Sequence, residues 1–518
     1  MYSTRCKMPR SPVAKASQRS NNPSYLMMAC LVFFSFVGML SLYGSSSSEP
    51  CGKIMYPWNA ITAIAKAGEH FDVWFVADQE QVASSVVLRG PYHSVEIDSE
   101  SITSVSGEWE YDPISGNTYN THITVTVPPN VPEDRYDLIL NTSCGDVISY
   151  RAVKVIRDYK PSYKIFVMAD SHMGQGGNEL LVASKHTAFV NVANIINADI
   201  VINAGDVTYY QSDSTHLRSI MDLFYRGDES KGLLGMHDFD AATFVLAGNH
   251  DYQEGREYGL PNIGYYDLKA DYWNTWHGLQ YHFLRYGNSR FMMFNNGWHT
   301  YDWLWQTERA ADWLKGDGSG GNLRIATAHI SRTEHMHEFA REHHIGLYLL
   351  GHNHNLGDRN PYMLDDRLIM YYARAVRKYM EFLLFHVDND QGTFTPLGVI
   401  NNDPDTVGYG LSTANNRILV NDEERNNPDA SVWVYNLTLD YQFENNGIST
   451  YNVATFVNKF DYSIPAARVR FVMPKGNDYV VSKGTIYQAF DGDLFHIIDV
   501  DIDLKANSTT VVEIAAGG

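Results

Sequence analysis

Five short clusters of polar residues each follow an apolar run in the middle of the chain, and their residue types are those that bind metal ions. The clusters are Ala169-Asp-Ser-His-Met-Gly, Ala204-Gly-Asp-Val-Thr-Tyr, Ala247-Gly-Asn-His-Asp, Thr327-Ala-His-Ile-Ser and Leu350-Gly-His-Asn-His. They supply seven candidate ligands: Asp170, His172, Asp206, Asn249, His329, His352 and His354. Carboxylate, imidazole and amide oxygen are ligands that Zn, Mn and Fe accept. Seven ligands exceed what one catalytic zinc needs, so the pattern predicts more than one metal ion.

Taken singly, each of these side chains has an ordinary structural explanation. An isolated Asp or His at the end of a strand is usually a cap or a satisfied polar group. Gly205, Gly248 and Gly351 are typical of a chain that turns sharply off a strand, which is compatible with either interpretation. The metal-site hypothesis therefore depends on the ordered series of ligand types and not on any one residue.

The ordered series resembles the calcineurin-like metallophosphoesterase family, whose motifs are Asp-x-His, Gly-Asp, Gly-Asn-His-Asp/Glu, a lone His and Gly-His-x-His. All five motifs are present, in that order, within residues 162–385. The resemblance implies one assignment of ligands: Asp170, His172 and His354 on one metal ion, Asn249, His329 and His352 on the other, and Asp206 bridging both. The two ions would be divalent or trivalent, and the mixed nitrogen and oxygen ligands accept Fe, Mn or Zn.

The resemblance also implies an activity, the hydrolysis of phosphomonoesters or phosphodiesters. Two neighbouring metal ions can clamp a phosphate group and activate a water molecule for in-line attack. His250 is left free by the ligand assignment and would stabilise the transition state or protonate the leaving alkoxide. Asp251 would orient His250 or a metal ligand. Trp298 and His299 fall where the family has a variable loop, and they are candidate substrate contacts.

Tyr209 raises a question about the type of phosphoesterase. It completes the motif Gly-Asp-x-x-Tyr, which is the form seen in purple acid phosphatases, where the tyrosine binds ferric iron. Those enzymes have Gly in the first motif at the position of His172 in this chain. We therefore predict that Tyr209 is a pocket or packing residue and not a metal ligand.

The elements that must position these residues have the pattern of an α/β domain. Apolar runs that end in polar clusters predict strands buried on both faces, at residues 164–169, 200–204, 243–247, 290–294, 324–328 and 347–350. Near-helical spacing of apolar residues predicts a helix over residues 179–198. Because strands in such sheets end at a common crevice, the seven ligands are expected to converge there. The resemblance implies an α/β domain of β-sandwich type at residues 162–385.

Two β-rich regions flank this predicted domain. Residues 51–159 contain short alternating strands separated by Gly, Pro and Asn, which predicts an all-β sandwich of immunoglobulin or fibronectin type. Residues 386–518 return to strand-like runs with Asn- and Asp-rich connections, including residues 431–435, and are predicted to form a C-terminal β-rich domain. The chain of 518 residues is therefore multidomain, as its length leads us to expect.

The N-terminus has the pattern of an export segment. Residues 1–24 form a basic tail without acidic residues, and residues 25–43 form an uncharged, mostly apolar run long enough to span a bilayer. This predicts a single-pass signal-anchor helix with the catalytic domain outside the cytosol; the alternative is a cleaved signal peptide and a secreted protein. Export would also permit a disulfide between Cys51 and Cys144.

Composition restricts the partners. The formal net charge of −20 repels nucleic-acid backbones, so we expect no nucleic-acid binding, and a phosphate ester is the expected substrate. The residue pattern does not indicate the oligomeric state, the metal or the preference for monoester or diester. A competing hypothesis is an inactive binding or adhesion protein that uses its β modules. That hypothesis predicts a degraded ligand set, whereas all seven positions are intact.

Overall fold

The computed structural model describes residues 52–59, 61–77, 83–112, 117–175, 177–209, 214–251, 276–295, 301–331, 333–354, 362–363, 368–398, 416–421, 423–427 and 429–517. The predicted export segment at 1–43, Cys51, Trp298 and His299 lie outside these residues. Within the described part of the chain, no helix is long and apolar enough to cross a membrane. Cys144 is disulfide-bonded.

The N-terminal region is built from two β-sheets that enclose a core. Its strands are β1 (Gly52–Tyr56), β2 (Ala63–Lys66), β3 (His70–Ala77), β4 (Ser85–Arg89), β5 (Ser94–Ile97), β6 (Ile102–Asp112), β7 (Asn117–Thr126), β8 (Asp134–Thr142) and β9 (Gly145–Ile156). The strand orders are β1-β3-β7-β6 and β2-β9-β8-β4-β5. Buried and partly exposed residues alternate along β3, so one face of its sheet covers the core.

The middle region contains two sheets with helices between their strands. Its strands are β10 (Ser162–Met168), β11 (Ile200–Asn203), β12 (Ala242–Val245), β13 (His282–Tyr286), β14 (Ser289–Met293), β15 (Leu323–Ala328), β16 (Leu347–Leu350), β17 (Tyr362–Met363), β18 (Ile369–Tyr372), β19 (Leu383–Asp388) and β20 (Thr393–Leu397). Its helices are α1 (Glu179–Ile196), α2 (Ser214–Arg226), α3 (Tyr301–Lys315), α4 (Thr333–Glu342) and α5 (Val376–Tyr379). The predicted strands and the predicted helix are confirmed, with ends that differ by at most two residues.

Parallel strands form the centre of each sheet in the middle region. The first sheet has the order β12-β11-β10-β19-β20, in which β10, β11 and β12 are parallel. The second has the order β13-β14-β15-β16-β18-β17, in which β14, β15, β16 and β18 are parallel. β11, β12 and β16 are buried at every position, as expected of strands covered on both faces. The first sheet continues through β20, so the predicted boundary at residue 385 falls inside β19.

The C-terminal region consists of two further sheets. Its strands are β21 (Leu437–Tyr441), β22 (Tyr451–Asn458), β23 (Ile464–Met473), β24 (Tyr479–Val481), β25 (Thr485–Asp491), β26 (His496–Leu504) and β27 (Ser508–Ala516). The orders are β21-β22-β27-β24 and β23-β26-β25. The strand predicted at residues 431–435 is wrong: Ala430–Val432 is a 3-10 turn, because the Asp429 carboxylate accepts the Ser431 N–H and caps it.

Helix α1 and Arg135 make two of the contacts that join the middle region to its neighbours. Helix α1 packs against β21 and β23 of the C-terminal region, and it ends at Asn197 in the left-handed conformation. Arg135 of β8 is fully buried against the middle region. Its guanidinium donates to the carbonyls of Met236 and Phe239, at 2.8 and 3.2 Å, and to the Thr243 hydroxyl at 2.7 Å. Residues 50–518 accordingly form one compact unit.

Candidate metal centre

The predicted ligands lie at the carboxyl ends of the parallel strands in both sheets. Asp170, Asp206 and Asn249 follow β10, β11 and β12, whereas His329 and His352 follow β15 and β16. Left-handed backbone, with φ of 57°, 48°, 54° and 65°, occurs at Asp170, His172, Asp206 and His352 respectively. Such conformations cost free energy in residues other than glycine, and they persist where the surrounding structure fixes them. The loops are therefore held in the one shape that brings these side chains together.

Close approach explains two of the motif glycines. Gly205 has a φ of 95°, and a Cβ at this position would lie 2.6 Å from Nδ1 of His329. A Cβ on Gly248 would collide with the carboxylate of Asp206. The positive φ at Gly205 agrees with the sharp turn predicted after this strand. At Gly248 the requirement is space for a neighbouring ligand.

The first group of ligand atoms comes from Asp170, His172, Asp206 and His354, whose atoms all lie within 4.8 Å of one another. Nε2 of His172 is 3.2 Å from Nε2 of His354 and 3.6 Å from Oδ1 of Asp170. Nε2 of His354 lies 2.9 Å from the same Asp170 oxygen. All but His354 are fully buried. The Nε2 atoms of two imidazoles and one carboxylate oxygen thus face a common point.

The second group comes from Asp206, His329 and His352, with Asn249 between the two imidazoles. Oδ1 of Asn249 lies 3.2 Å from Nε2 of His329 and 2.8 Å from Nδ1 of His352. Nε2 of His329 is 3.2 Å from Oδ2 of Asp206. That same Asp206 oxygen is 3.5 Å from Nε2 of His172 in the first group. Asp206 is therefore shared by the two groups.

The donor atoms fit two cations of the size of Zn, Mn or Fe. Ligand atoms about 2.1 Å from one ion lie about 3.0–3.4 Å from each other, close to the separations seen here. Asp170 and Asp206 each use one oxygen to accept a backbone N–H, from His352 at 3.0 Å and from His250 at 2.8 Å. Their other oxygens, Oδ1 and Oδ2 respectively, are buried without a hydrogen bond. Buried carboxylate oxygens are rarely left in this state, and a bound cation would satisfy both.

Neighbouring groups also prepare His329 to bind a metal through Nε2. Its Nδ1 lies 2.7 Å from the carbonyl oxygen of Ala204, which accepts the ring N–H and leaves Nε2 pointing at Asp206. Burial opposes protonation of this imidazole, but the carboxylates of Asp206 and Asp170 outweigh it and raise the pKa of His329 to about 9. The electrostatic potential at Nε2 of His329 therefore favours a bound cation.

His250 lies beside the first group and is not part of it. Its ring contacts that of His172 edge-on at 4.6 Å and stacks on the ring of Tyr209 at 4.8 Å. Burial lowers the pKa of His250, and the carboxylate of Asp206 opposes that change. Tyr209 thus packs against the candidate proton donor. The half-buried imidazole of His250 therefore lies at the edge of the centre.

Asp251 lies behind the ligands. Its carboxylate accepts the backbone N–H groups of Thr208 at 2.9 Å and Gly248 at 2.8 Å, and the Thr208 hydroxyl at 3.0 Å. Burial raises the pKa of Asp251 to about 7 and the Asp206 carboxylate adds to the rise, while these backbone N–H groups oppose it. Asp251 therefore ties together the loops that carry Asp206 and Asn249.

Two basic residues near the centre, Lys185 and Arg377, were not predicted from the sequence. Arg377 lies on α5, whose first residue donates its N–H to the carbonyl of Ala169 at 3.0 Å. Lys185 on α1 is 1% exposed and donates to the carbonyl of Arg377. Neither belongs to a family motif. One signal for Arg377 was present in the sequence. The chain is acidic overall, yet the five-residue stretch 374–378 contains three basic residues, Arg374, Arg377 and Lys378.

The solved structures that resemble this chain share little sequence with it. No curated protein matches the chain. Among solved structures, it is similar to a cold-active protein-tyrosine phosphatase of the psychrophile Shewanella sp., with 14% identity over 57% of this chain and 99% of that chain and a TM-score of 0.23. It is also similar to a putative alpha-galactosidase/melibiase from Bacteroides fragilis, with 10% identity over 88% and 99% of the two chains and a TM-score of 0.23. TM-scores this low say nothing about fold or function.

The family comparison is more specific. The model of the calcineurin-like phosphoesterase family matches residues 163–356. This interval contains β10 except its first residue, β11 to β16 and all seven candidate ligands. The match confirms the resemblance inferred from the motifs. Residues 163–356 of this chain are thus a domain that matches the calcineurin-like phosphoesterase family.

Proposed function

We propose that this protein is an exported or membrane-anchored phosphoesterase that uses two metal ions to hydrolyse phosphomonoesters or phosphodiesters. The observation that carries the proposal is the shared carboxylate of Asp206. One of its oxygens lies 3.2 Å from Nε2 of His329 and 3.5 Å from Nε2 of His172, so a single side chain links the two groups of ligand atoms. Paired sites of this type act on phosphate esters.

The ligands divide between the two ions as the family motifs suggest. The first ion would be held by Asp170, His172 and His354, the second by Asn249, His329 and His352, and Asp206 would contact both. Bound metal ions supply Lewis acidity, which polarises the phosphate and lowers the pKa of water. The mixed nitrogen and oxygen donors suit Fe, Mn or Zn.

The remaining residues at the centre bind, orient and transfer protons. We assign His250 as the residue that stabilises the transition state or donates a proton to the leaving oxygen, because its ring borders the first ligand group without belonging to it. Stacking on Tyr209 restricts the orientation of that ring. Asp251 acts indirectly, by fixing the backbone at Thr208 and Gly248 through hydrogen bonds.

Metal analysis and hydrolysis test the proposal together. The purified chain is expected to contain about two metal ions and to hydrolyse 4-nitrophenyl phosphate or bis(4-nitrophenyl) phosphate. The preferred ester separates monoesterase from diesterase. Asp206→Asn should lower both the metal content and the rate. Protein that is metal-free, and that stays inactive after Mn, Zn or Fe is added, would refute the proposal and favour the binding or adhesion protein.

Export rests on the sequence of residues 1–43, and it has its own test. Mass spectrometry of the protein from fractionated cells of its source organism would identify its N-terminal residues. A membrane-bound chain that retains residues 25–43 supports the signal anchor. A released chain that begins after residue 43 supports a cleaved signal peptide. An intact chain in the cytosol would contradict export.

A further inference from the structure

Among the residues that the structure describes, two cations beside the metal centre, Lys185 and Arg377, have no carboxylate partner. Within the described part of the chain, neither Lys185 nor Arg377 makes an ion pair, and the one hydrogen bond of the Lys185 amine goes to the carbonyl of Arg377. The buried Nε of Arg377 has no hydrogen-bond partner. Buried cations are almost always paired. In a chain with a net charge of −20, two such cations without an acidic partner among the described residues call for an explanation.

The position of Arg377 connects it to the candidate active site. Its guanidinium carbon lies 5.9 Å from the centre of the Tyr209 ring. That ring is 4.8 Å from the ring of His250 and 5.5 Å from that of His172. The guanidinium and the candidate proton donor therefore both lie beside the ring of Tyr209.

The neighbouring charges strengthen the case for a missing anion. Burial lowers the pKa of Lys185 to about 8, and the positive charges of Arg425 and Arg377 add to this effect. Glu381, a buried acid of the same segment, is already bonded to Arg374 at 2.9 Å and to Arg417 at 3.1 Å. Like charges brought together without a counterion are unfavourable. A bound anion would remove this cost.

We propose that Arg377 binds a second anionic group of the substrate, a carboxylate or a phosphate, while the ester phosphate occupies the metal centre. The proposal rests on the phosphoesterase function proposed above. A guanidinium presents parallel N–H donors that match two oxygens of either group. Arg377 would therefore select doubly anionic esters over singly anionic ones, and the positive charge of Lys185 below it favours the same choice.

Binding of non-hydrolysable mimics tests this selection without relying on turnover. Phenylphosphonate and its 2-, 3- and 4-carboxy derivatives would be titrated into the metal-loaded protein by calorimetry. At least one carboxy isomer is expected to bind about tenfold more tightly than phenylphosphonate. Arg377→Gln should remove this preference and leave the affinity for phenylphosphonate within about twofold. Inorganic sulfate, titrated in the same way, reports whether a free anion competes for Arg377.

The chain offers a matched control for the loss of charge. Lys378→Gln removes an exposed cation from the next position of α5, and it should leave the carboxylate preference intact. Arg377→Lys keeps the charge and loses the planar pair of donors, so it should retain only part of the preference. It also replaces Arg377→Gln in the comparison if that variant does not fold.

The possible results separate this proposal from the general function. Equal affinity for all phosphonates in the wild type, or an equal loss for all of them in Arg377→Gln, would overturn the anion site. Hydrolysis of phenyl phosphate would leave the phosphoesterase function standing in that case. A protein that neither binds phenylphosphonate nor hydrolyses phenyl phosphate would lose both proposals. Weakening of the carboxy isomers by sulfate in the wild type alone would locate the free-anion site at Arg377 and support the inference.

Discussion

The metal centre and a second buried cluster of charges are built in opposite ways. The second cluster, here the junction network, consists of Glu133, Asp134, Arg468, Arg470, Asp499 and Asp501, where the N-terminal and C-terminal regions meet. Its carboxylates are hydrogen-bonded: Asp499 receives both bonds of the Arg470 fork, at 2.8 and 2.9 Å, and a third from Gln488 at 2.7 Å. In the metal centre, Asp170 and Asp206 each keep one buried oxygen without a hydrogen bond.

The difference shows how to distinguish a structural charge cluster from a functional one. Burial and density of charge are similar in the two places, since Asp206 and Asp499 are 1% and 0% exposed. What differs is whether each buried oxygen has a donor. Where all are satisfied, the charges join parts of the protein, and where some are left bare, the site requires a ligand. Variants that remove one acidic group from either cluster test this distinction.

The largest expected effect is on activity, and it comes from Asp206→Asn. The substitution keeps the acceptor for the His250 N–H but removes the shared negative charge, so kcat/KM should fall by about 10³-fold or more. Urea unfolding of the metal-free variant should show only a small loss of stability, because the variant loses the attraction between the carboxylate and His329 but keeps the hydrogen bond from the His250 N–H. Asp222→Asn, on the exposed side of α2, is the control that should change neither quantity. A large loss of stability in Asp206→Asn would contradict the distinction.

A large effect on stability is expected from Asp499→Ala. It removes the bidentate partner of Arg470, whose side chain is 20% exposed and keeps Asp134 at 2.9 Å, so the cost should be about 3 kcal/mol, the lower end for broken buried pairs. Urea unfolding measures the cost, while hydrolysis per folded molecule should be retained. Asp158→Ala breaks an ion pair with Lys66 in which Asp158 is 74% exposed, and it should have a much smaller effect. Equal effects of the two variants would show that the junction network is not structural.

A smaller effect is expected on the pH dependence of stability. Burial alone would raise the pKa of Glu133, but the charges of Lys154, Lys160 and Arg468 lower it to about 2. Because this value is below the unfolded value of 4.5, ionised Glu133 stabilises the fold above about pH 4.5, and the contribution is lost as the pH falls towards 2. In Glu133→Gln, the decrease in unfolding free energy over this interval should be smaller by about 2–3 kcal/mol.

Urea unfolding at a series of pH values checks this expectation. Glu69→Gln is the control, because that side chain is 53% exposed and makes only a surface pair with Lys66. Its profile should follow that of the wild type. A Glu133→Gln profile with the wild-type slope would mean that the charges around Glu133 do not stabilise its ionised form.

The metal ligands could be predicted from the sequence because their positions follow a local rule. Each candidate comes directly after an apolar run, and parallel strands bring such positions to one edge. The packing role predicted for Tyr209 agrees with its stacking on His250. No such rule applies to Arg377, because it follows the last motif in the sequence. It lies near the centre because α5 starts beside Ala169.

The junction network was beyond sequence reasoning for a different reason. Asp134 and Arg470 are 336 residues apart in the chain, and no local periodicity relates them. The same applies to β19, which pairs with β10 in antiparallel register and extends the first sheet beyond the predicted boundary at residue 385. Contacts between distant segments depend on how the sheets assemble, and a single sequence contains no direct signal for that.

Arg135 limits how this protein can be divided and recombined. A fragment that starts at residue 162 would lose the guanidinium that satisfies the carbonyls of Met236 and Phe239 and the hydroxyl of Thr243. It would also expose the side of β12 that contacts Ile61. The phosphoesterase domain is therefore not expected to fold without the preceding β module. Gene fusion or domain shuffling that transfers it without the preceding β module should yield insoluble protein, so the two regions are expected to be inherited together.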